Sequence, residues 1–490
     1  MRNQDRTRTK ALLRAAAVVL LGLWTAGLAA QERFRKAPPD PEPLPPLRLP
    51  PVESHTLGNG LRIGVAPRSP SPVVVIHVVI AAGEADSPPG LPSVAALTAG
   101  MIGRGTPLQT ASSLENAVDR MGATFTTAVA PDMTVFTFTC LERDLDQALG
   151  LLKTMLLEAN FDEREIDTLK RTLFYDRRAK GQDAEFVARR QLFRLLFAGH
   201  PYQTATYTEE SVRAPLRRDL EAFYSRFYRP NNAIVVVTGD YSLSTVSLKV
   251  SHQFNAWLRR DIERPFPPPP VPNSASRVCF VDLPSAENAY LFVGNIVMPM
   301  TSPDYFSWLV LDQVLGGTTS SRLFMNLRES KSFAYYAFSE TTFFRTGGVF
   351  WARAKVTPEV VAPAVQEILK DLENLASERL AVFEMEQAKA FLIGHFPLLL
   401  ETPEEYGLRV ARILAYNLGA EHWNKYLDAV MLVSLDRVLE TSQRYLLPKP
   451  VVVIVGSGDQ VVDHLRDFES IEIYDSKGAW RQTIQKGVAK

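Results

Sequence analysis

The feature that most constrains the fold of this chain is an internal duplication. Three segments of the first half recur 219 residues further on. They are Glu165–Lys170 with Glu384–Lys389, the leucines Leu216 and Leu220 with Leu435 and Leu439, and Ile234–Asp240 with Val453–Asp459. Chance could supply one such match but hardly three at the same offset, so the sequence predicts two copies of one domain. At 490 residues the chain is also too long for a single hydrophobic core.

Each copy follows the same order of predicted elements: two strands, then helices, a further strand, a pair of helices and a closing strand. This mixed order favours an α+β fold with largely antiparallel sheets packed by helices over a doubly wound parallel sheet. We divide the chain into a signal peptide at 1–30, a proline-rich extended lead-in at 31–51, an N-terminal half at 52–260, a proline-rich linker at 261–275 and a C-terminal half at 276–490.

The N-terminus is typical of an exported protein. Basic residues up to Arg14 are followed by the uncharged stretch Ala15–Ala30. This predicts a secretory signal cleaved after Ala29 or Ala30 and a location in a bacterial periplasm. An uncleaved anchor facing the periplasm is the alternative, although about 16 apolar residues are fewer than the 20 or so that a spanning helix needs. After cleavage we expect no stable membrane span.

Composition excludes several classes of function. The formal net charge is zero and no basic run follows the N-terminus, which argues against a nucleic-acid partner. The two cysteines, Cys140 and Cys279, allow at most one disulfide, and we expect two small buried hydrophobic residues. No two of the seven histidines lie three to five residues apart, so we expect no metal site made within this chain.

Residues 90–106 predict a buried helix. Val94–Ile102 are small or apolar, and Gly105 and Thr106 form a stop. The segment resembles the motif helix of the pitrilysin/insulinase family of zinc peptidases, in which His-x-x-Glu-His ends before a Gly-Thr pair. The resemblance places Ala96 and Gly100 where that family has its two zinc-binding histidines and Ala99 where it has the general base. None of these side chains can bind a metal or transfer a proton.

The resemblance covers about residues 52–470 and implies two homologous halves that face each other as a shell. It places the family's third ligand, a glutamate, near Tyr175 or Asp176. Asp176 is then the only oxygen ligand left, and one carboxylate does not hold zinc. We expect it to be a solvated carboxylate paired with Arg177 or Arg178.

A second motif lies in the C-terminal half. Gly316 and Gly317 precede Ser321-Arg322-Leu323, and a short helix is predicted from about Ser320 to Glu329. The family carries an arginine and a tyrosine after such a segment, at the spacing of Arg328 and Tyr335. There they bind the substrate backbone and steady the tetrahedral intermediate, a role that a guanidinium fork and a phenol suit chemically. The structural alternative is an arginine at a helix C-terminus and a tyrosine packed in a sheet. Arg322 is expected to brace the fold.

In some bacterial members of the family, one chain carries the zinc motif and a second supplies the arginine and tyrosine. The resemblance therefore implies a non-catalytic, substrate-binding subunit of a heterodimeric zinc peptidase that acts on peptides, with no cofactor of its own and zinc in its homologous partner. Two alternatives stay open. One is a structural core or scaffold subunit of an envelope complex, and the other, the weaker, is an independent zinc peptidase with scattered ligands.

Overall fold

Two β-sheets, one in each predicted half, organise the chain. The computed structural model describes residues 49–68, 71–263, 267–273, 275–446 and 449–486. The predicted signal peptide and most of the lead-in therefore lie outside the described residues. The described residues of segment 261–275 form neither helix nor strand.

The first sheet has six strands: β1 Ser54–Thr56, β2 Arg62–Pro67, β3 Val73–Ile80, β4 Thr124–Val129, β5 Thr134–Leu141 and β6 Ala233–Gly239. Their order is β1-β2-β6-β3-β5-β4, and only the β2–β6 pair is parallel. β6 is buried along its whole length because it lies inside the sheet and is covered on both faces.

The second sheet has seven strands: β7 Arg277–Asp282, β8 Ala289–Val297, β9 Ala334–Phe343, β10 Gly348–Val356, β11 Val451–Gly456, β12 Ser470–Asp475 and β13 Trp480–Gln485. Their order is β13-β12-β7-β11-β8-β10-β9. The run β7-β11-β8-β10-β9 repeats β2-β6-β3-β5-β4 strand for strand. The parallel pairs are β12–β7 and β7–β11. The predicted fold class, two homologous α+β halves with largely antiparallel sheets, is confirmed.

Helices fill the connections between strands. In the first half they are α1 Val94–Met101, α2 Ala111–Arg120, α3 Leu145–Leu157, α4 Glu163–Lys180, α5 Ala184–Leu196, α6 Arg217–Phe227 and α7 Leu243–Phe254. In the second half they are α8 Tyr305–Gly316, α9 Val361–Ser377, α10 Val382–His395, α11 Pro403–Tyr416, α12 His422–Leu432, α13 Leu435–Tyr445 and α14 Gly458–Val461. A π-helix, Phe324–Ser330, lies between α8 and β9. None of the described helices is both long and apolar enough to span a membrane.

The two halves exchange a helix. α5 of the first half packs on β8 and β11 of the second sheet, and α11 of the second half packs on β2, β3 and β6 of the first. The first residues of these helices, Ala184 and Pro403, are 219 positions apart, the offset of the duplication. The exchange therefore obeys the internal symmetry, and each sheet completes its core with a helix from the other copy.

Gly407 and His77 fit together at one of these contacts. A Cβ atom at Gly407 on α11 would lie 2.2 Å from Thr238 Oγ1 and 2.9 Å from His77 Nε2. The ring of His77, fully buried on β3, is bonded at both nitrogens: Nε2 lies 3.0 Å from the carbonyl oxygen of Glu404 on α11, and Nδ1 lies 3.0 Å from Thr137 Oγ1. Because a carbonyl only accepts, Nε2 carries the proton and Nδ1 accepts from the threonine.

Asp132 joins the tips of the two equivalent hairpins. It lies in the turn between β4 and β5, is 3% exposed, and accepts hydrogen bonds from the Tyr202 hydroxyl at 3.0 Å and from the backbone N–H of Arg345 at 2.7 Å. Arg345 belongs to the turn between β9 and β10. Leu49, at the end of the lead-in, exchanges two hydrogen bonds with Asn424 on α12. These contacts fix the halves against each other.

Candidate functional site

α1 is the helix that resembles a zinc motif, and its three motif positions carry only small groups. Ala96 and Gly100 are partly exposed on one face, one turn apart. Ala99 is fully buried in the core beneath the first sheet. The glycine at 103, with φ of +87°, follows the end of the helix at Met101. The helix expected of the motif is therefore present, but its side chains at these three positions have no donor atom for a metal.

Leu169 on α4 closes the space beside Gly100. A Cβ atom built at Gly100 would lie 2.7 Å from Leu169 Cδ2 and 3.1 Å from its Cδ1. Leu169 is 5% exposed and belongs to an apolar cluster with Leu97, Met101 and Ile166. An imidazole at position 100 would have to displace this side chain. The residues present do not fit zinc, because the three motif positions have no donor atoms and a side chain at position 100 would meet Leu169.

Asp176 lies near the C-terminal end of α4. Its carboxylate is 43% exposed and accepts from Lys180 Nζ at 3.0 Å, one turn on. The expected ion pair with Arg177 or Arg178 is wrong, because the residue that pairs with Asp176 is Lys180. Arg177 instead donates from Nη2 to the Tyr207 hydroxyl at 2.6 Å, and its guanidinium carbon lies 3.9 Å from the centre of that ring. Asp176 is a solvated carboxylate, as expected.

Glu84 is a buried acid close to α1 in the chain, and the sequence analysis did not single it out. It lies in the turn between β3 and α1 and is 7% exposed. Burial raises the pKa of its carboxyl to about 8, against the opposing effect of the Arg177 charge. Its local sequence, Gly-Glu-Ala-Asp, has the composition of an exposed turn, so no pattern could have marked it.

Other candidate metal ligands are scattered. Among the described residues no group of three or more His, Cys, Asp or Glu side chains is placed to hold a metal ion. Cys140 and Cys279 are both buried free thiols, so the disulfide that the sequence allowed is not formed. Burial raises the pKa of the Cys140 thiol to about 11, which leaves it protonated at neutral pH.

Arg328 and Tyr335 are presented at the surface by an anchored turn. The short helix predicted from about Ser320 to Glu329 is largely the π-helix Phe324–Ser330, on which Arg328 is exposed. Ser332 has a φ of +54°, and the backbone N–H of Phe333 bonds the carbonyl of Leu327 at 2.8 Å. Tyr335 is 59% exposed near the start of β9.

Two buried contacts hold this turn in place. Leu327 is fully buried, and Asn326 donates to Glu367 at 3.1 Å and to Asp371 at 3.0 Å, both on α9. Arg322 forms a two-pronged ion pair with Glu384, with both N···O distances at 2.8 Å, so it braces the fold as expected. Among the described residues, no ion-pair partner is found for Arg328. Neither Arg328 nor Tyr335 lies in the packed interior.

Lys355 connects Tyr335 with a cleft between the two halves. Lys355 Nζ lies 5.2 Å from the centre of the Tyr335 ring and 5.6 Å from that of Tyr290. Lys355 and Tyr290 line a cleft of about 310 Å³, together with Asp183 and Glu185 at the start of α5. β9 is the edge strand of its sheet and pairs only with β10 among the described strands. Tyr335 therefore lies on an edge strand, next to a lysine of this cleft.

Comparison with known proteins agrees with this geometry. The family model described as "Insulinase (Peptidase family M16)" matches residues 64–210, and the model "Peptidase M16 inactive domain" matches residues 216–392. The chain belongs to the insulinase family, peptidase family M16. With Ala96, Ala99 and Gly100 at the motif positions, it is a non-catalytic member of that peptidase family.

The relatives include proteins named as zinc proteases and one named as a non-peptidase homolog. An uncharacterized zinc protease of Mycobacterium leprae is 25% identical over 394 residues, which cover 78% of this chain and 87% of the relative. The non-peptidase homolog YmxG of Helicobacter pylori is 22% identical, over 68% of this chain and 76% of the relative. The crystal structure of a peptidase M16 inactive domain from Pseudomonas fluorescens shares the fold, with a TM-score of 0.77 at 19% identity, covering 83% of this chain and 98% of the other.

Proposed function

We propose that this chain is the non-catalytic, substrate-binding subunit of a heterodimeric zinc peptidase that acts on peptides. Arg328 and Tyr335 would complete the active centre of a homologous partner that carries the zinc. The observation that carries the proposal is a contrast within one chain. Ala96, Ala99 and Gly100 offer no metal ligand at the motif positions, whereas Arg328 and Tyr335 are exposed on a turn anchored by Leu327 and Asn326.

The chemistry of the pair suits a peptide substrate. A guanidinium offers several fixed donors and keeps its charge at every physiological pH, and a phenol adds one directional donor. Held by a rigid turn, these groups can bond peptide carbonyls and an oxygen that gains negative charge during cleavage. The metal and the general base belong to the partner, so this chain binds and orients the peptide.

The location of the complex is part of the proposal and comes from the sequence alone. The basic and apolar residues 1–30 predict export to the periplasm, and they lie outside the described residues. An anchor that stays in the membrane, with the same domain facing the periplasm, is the alternative. Protein fractionation combined with N-terminal sequencing of the exported chain distinguishes the two.

The deciding experiment measures peptide hydrolysis by the chain alone, by a His-x-x-Glu-His homologue from the same organism alone, and by both together. We expect chelator-sensitive cleavage only with the pair. Arg328→Ala or Tyr335→Phe in this chain should lower kcat by roughly 10²-fold, the usual cost of one oxyanion donor. Arg218→Ala is the control, since Arg218 is an exposed arginine on α6 in the other half.

Two results would reject the proposal. One is hydrolysis by this chain in the absence of the partner. The other is full activity of the pair with Arg328→Ala and Tyr335→Phe combined, which would leave the chain a structural role such as a scaffold in an envelope complex.

A further inference from the structure

The second half has a groove beside the helices that correspond to α1 and α4. α8 and α10 occupy the places that α1 and α4 have in the first half: α8 follows β8 as α1 follows β3, and α10 begins 219 residues after α4. In the first half Leu169 on α4 lies against Gly100 on α1, where a Cβ atom would be 2.7 Å from its Cδ2. In the second half the corresponding helices, with the π-helix, enclose a groove of about 680 Å³.

The walls of this groove are mainly apolar and include aromatic side chains that face solvent. Phe383 is 66% exposed, Phe391 is 41% exposed and Met325 is 46% exposed, and all three line the groove. The only ionised side chains among the lining residues are Arg322 and Glu384, which neutralise each other through their two-pronged pair. The groove therefore favours an uncharged apolar group.

Ser321 supplies an independent sign of a ligand. It lines the groove, is 3% exposed, and its hydroxyl has no hydrogen-bond partner among the described residues. A buried hydroxyl without a partner destabilises the folded state, because it has lost its bonds to water without replacement. A rotation of the Ser321 side chain toward the groove would let a peptide N–H or carbonyl provide the missing bond.

The groove and the proposed peptide site share one short helix. Met325, in its wall, and Arg328 lie three residues apart on the same short π-helix. An extended peptide advances about 3.3 Å per residue, with alternate side chains on opposite sides. A peptide whose backbone is held by Arg328 can therefore direct a nearby side chain past Met325 into the groove.

We propose that this groove is a specificity pocket that takes a large apolar side chain, aromatic or long aliphatic, of the peptide bound at Arg328 and Tyr335. The inference rests on the proposed function and adds a substrate preference to it. The flexible thioether of Met325 and the exposed rings let the pocket accept side chains of different shapes. Charged side chains are excluded because no free counter-charge lines it.

The test measures binding of fluorescein-labelled peptides to this chain co-purified with its partner, in EDTA so that no peptide is cleaved. The peptides are identical except for one position, which holds Phe, Ala or Lys. We expect the Phe peptide to bind about tenfold more tightly than the Ala or Lys peptide, the effect of burying one aromatic ring. Phe383→Ala should remove this difference, whereas Val382→Ala, its exposed neighbour outside the groove, should keep it.

Ser321→Ala provides a second variant, in which no hydrogen bond between described residues is lost. Since the hydroxyl has no partner, the variant should be at least as stable as the parent and should bind the Phe peptide several-fold more weakly. Equal binding of all three peptides, unchanged by Phe383→Ala, would overturn the pocket and leave the proposed function intact. Absence of binding by every peptide would overturn both. If Phe383→Ala instead released the partner subunit, the groove would be a subunit interface and the pocket would be wrong.

Discussion

The buried histidine between the two halves predicts a measurable dependence of stability on pH. His77 is fully buried against α11, and burial lowers the pKa of its imidazole from 6.5 to about 4. In the unfolded chain the imidazole is exposed and takes up a proton as the pH falls below 6.5, while the folded chain still resists protonation. The contribution of neutral His77 to stability is therefore complete above pH 6.5 and is lost as the pH falls toward 4.

The magnitude follows from the two pKa values. The difference between 6.5 and about 4, at 1.36 kcal/mol per pKa unit, gives about 3 kcal/mol of stability lost across this range. The usual free energy of unfolding of a domain is about 5–15 kcal/mol, so this loss is a large share of it.

Glu84 acts in the opposite direction and must be separated. Burial raises the pKa of its carboxyl from 4.5 to about 8. Between these values the folded chain keeps a proton that the unfolded chain releases, so this contribution is complete below pH 4.5 and is lost as the pH rises toward 8. In the native protein the two effects partly cancel between pH 4.5 and 6.5. The raw pH profile of stability is therefore uninformative, and only the difference between native protein and variant isolates His77.

The assay is urea unfolding of the native chain and of His77→Gln at half-unit steps from pH 4 to pH 8. Glutamine can bond both Thr137 and the Glu404 carbonyl without titrating. The difference in unfolding free energy should be constant above pH 6.5 and should shift by about 3 kcal/mol in favour of the variant by pH 4. The same substitution at His55, on the exposed strand β1, controls for loss of a histidine. A difference that stays constant over the whole range would refute the assigned burial and its energetic consequence.

Two further predictions concern close approaches of glycine. Installing the full motif, with histidines at 96 and 100 and glutamate at 99, should not create a zinc site, because Leu169 would have to turn away from position 100 and no glutamate stands at the third ligand position near Asp176; one equivalent of zinc bound in dialysed protein would contradict this. Gly407→Ala should lower the unfolding free energy by about 1–3 kcal/mol, since its Cβ would lie 2.2 Å from Thr238 Oγ1. Gly394→Ala, with no atom within 4 Å of its Cβ, should be neutral or stabilising in the same urea assay.

Local patterns predicted the elements of the fold but not how the halves are joined. The valine-rich runs of β6 and β11 read as buried strands because each lies inside its sheet. The exchange of α5 and α11 carries no local signal. Gly407 on α11 fits against His77 on β3, and these residues are far apart in sequence. Taken singly, neither residue predicts a contact between the halves. The duplication predicts two copies of one domain, but it does not predict that each sheet is covered by a helix of the other copy.

The same distinction applies to the candidate site. The motif positions on α1 and the exposed pair Arg328 and Tyr335 could be located from the sequence. The contact of Leu169 with Gly100 could not, because Leu169 is indistinguishable in pattern from any other apolar residue of an amphipathic helix. The π-helix was missed for a related reason. Over seven residues, a pattern with a period of 3.6 and the wider spacing of a π-helix place the same apolar residue, Leu327, inward.

The duplication places equivalent helices in the two halves, and the difference between them links the motif helix to the proposed pocket. Beside Gly100 on α1 lies Leu169, which belongs to a buried apolar cluster. The groove between α8 and α10 instead presents the exposed rings of Phe383 and Phe391, and exposed apolar groups of this size usually mark a binding surface. A chain that served only as a scaffold would have no use for such rings. Exposed rings on the helix pair next to Arg328 are what we expect of a subunit that lacks the metal ligands and binds the peptide.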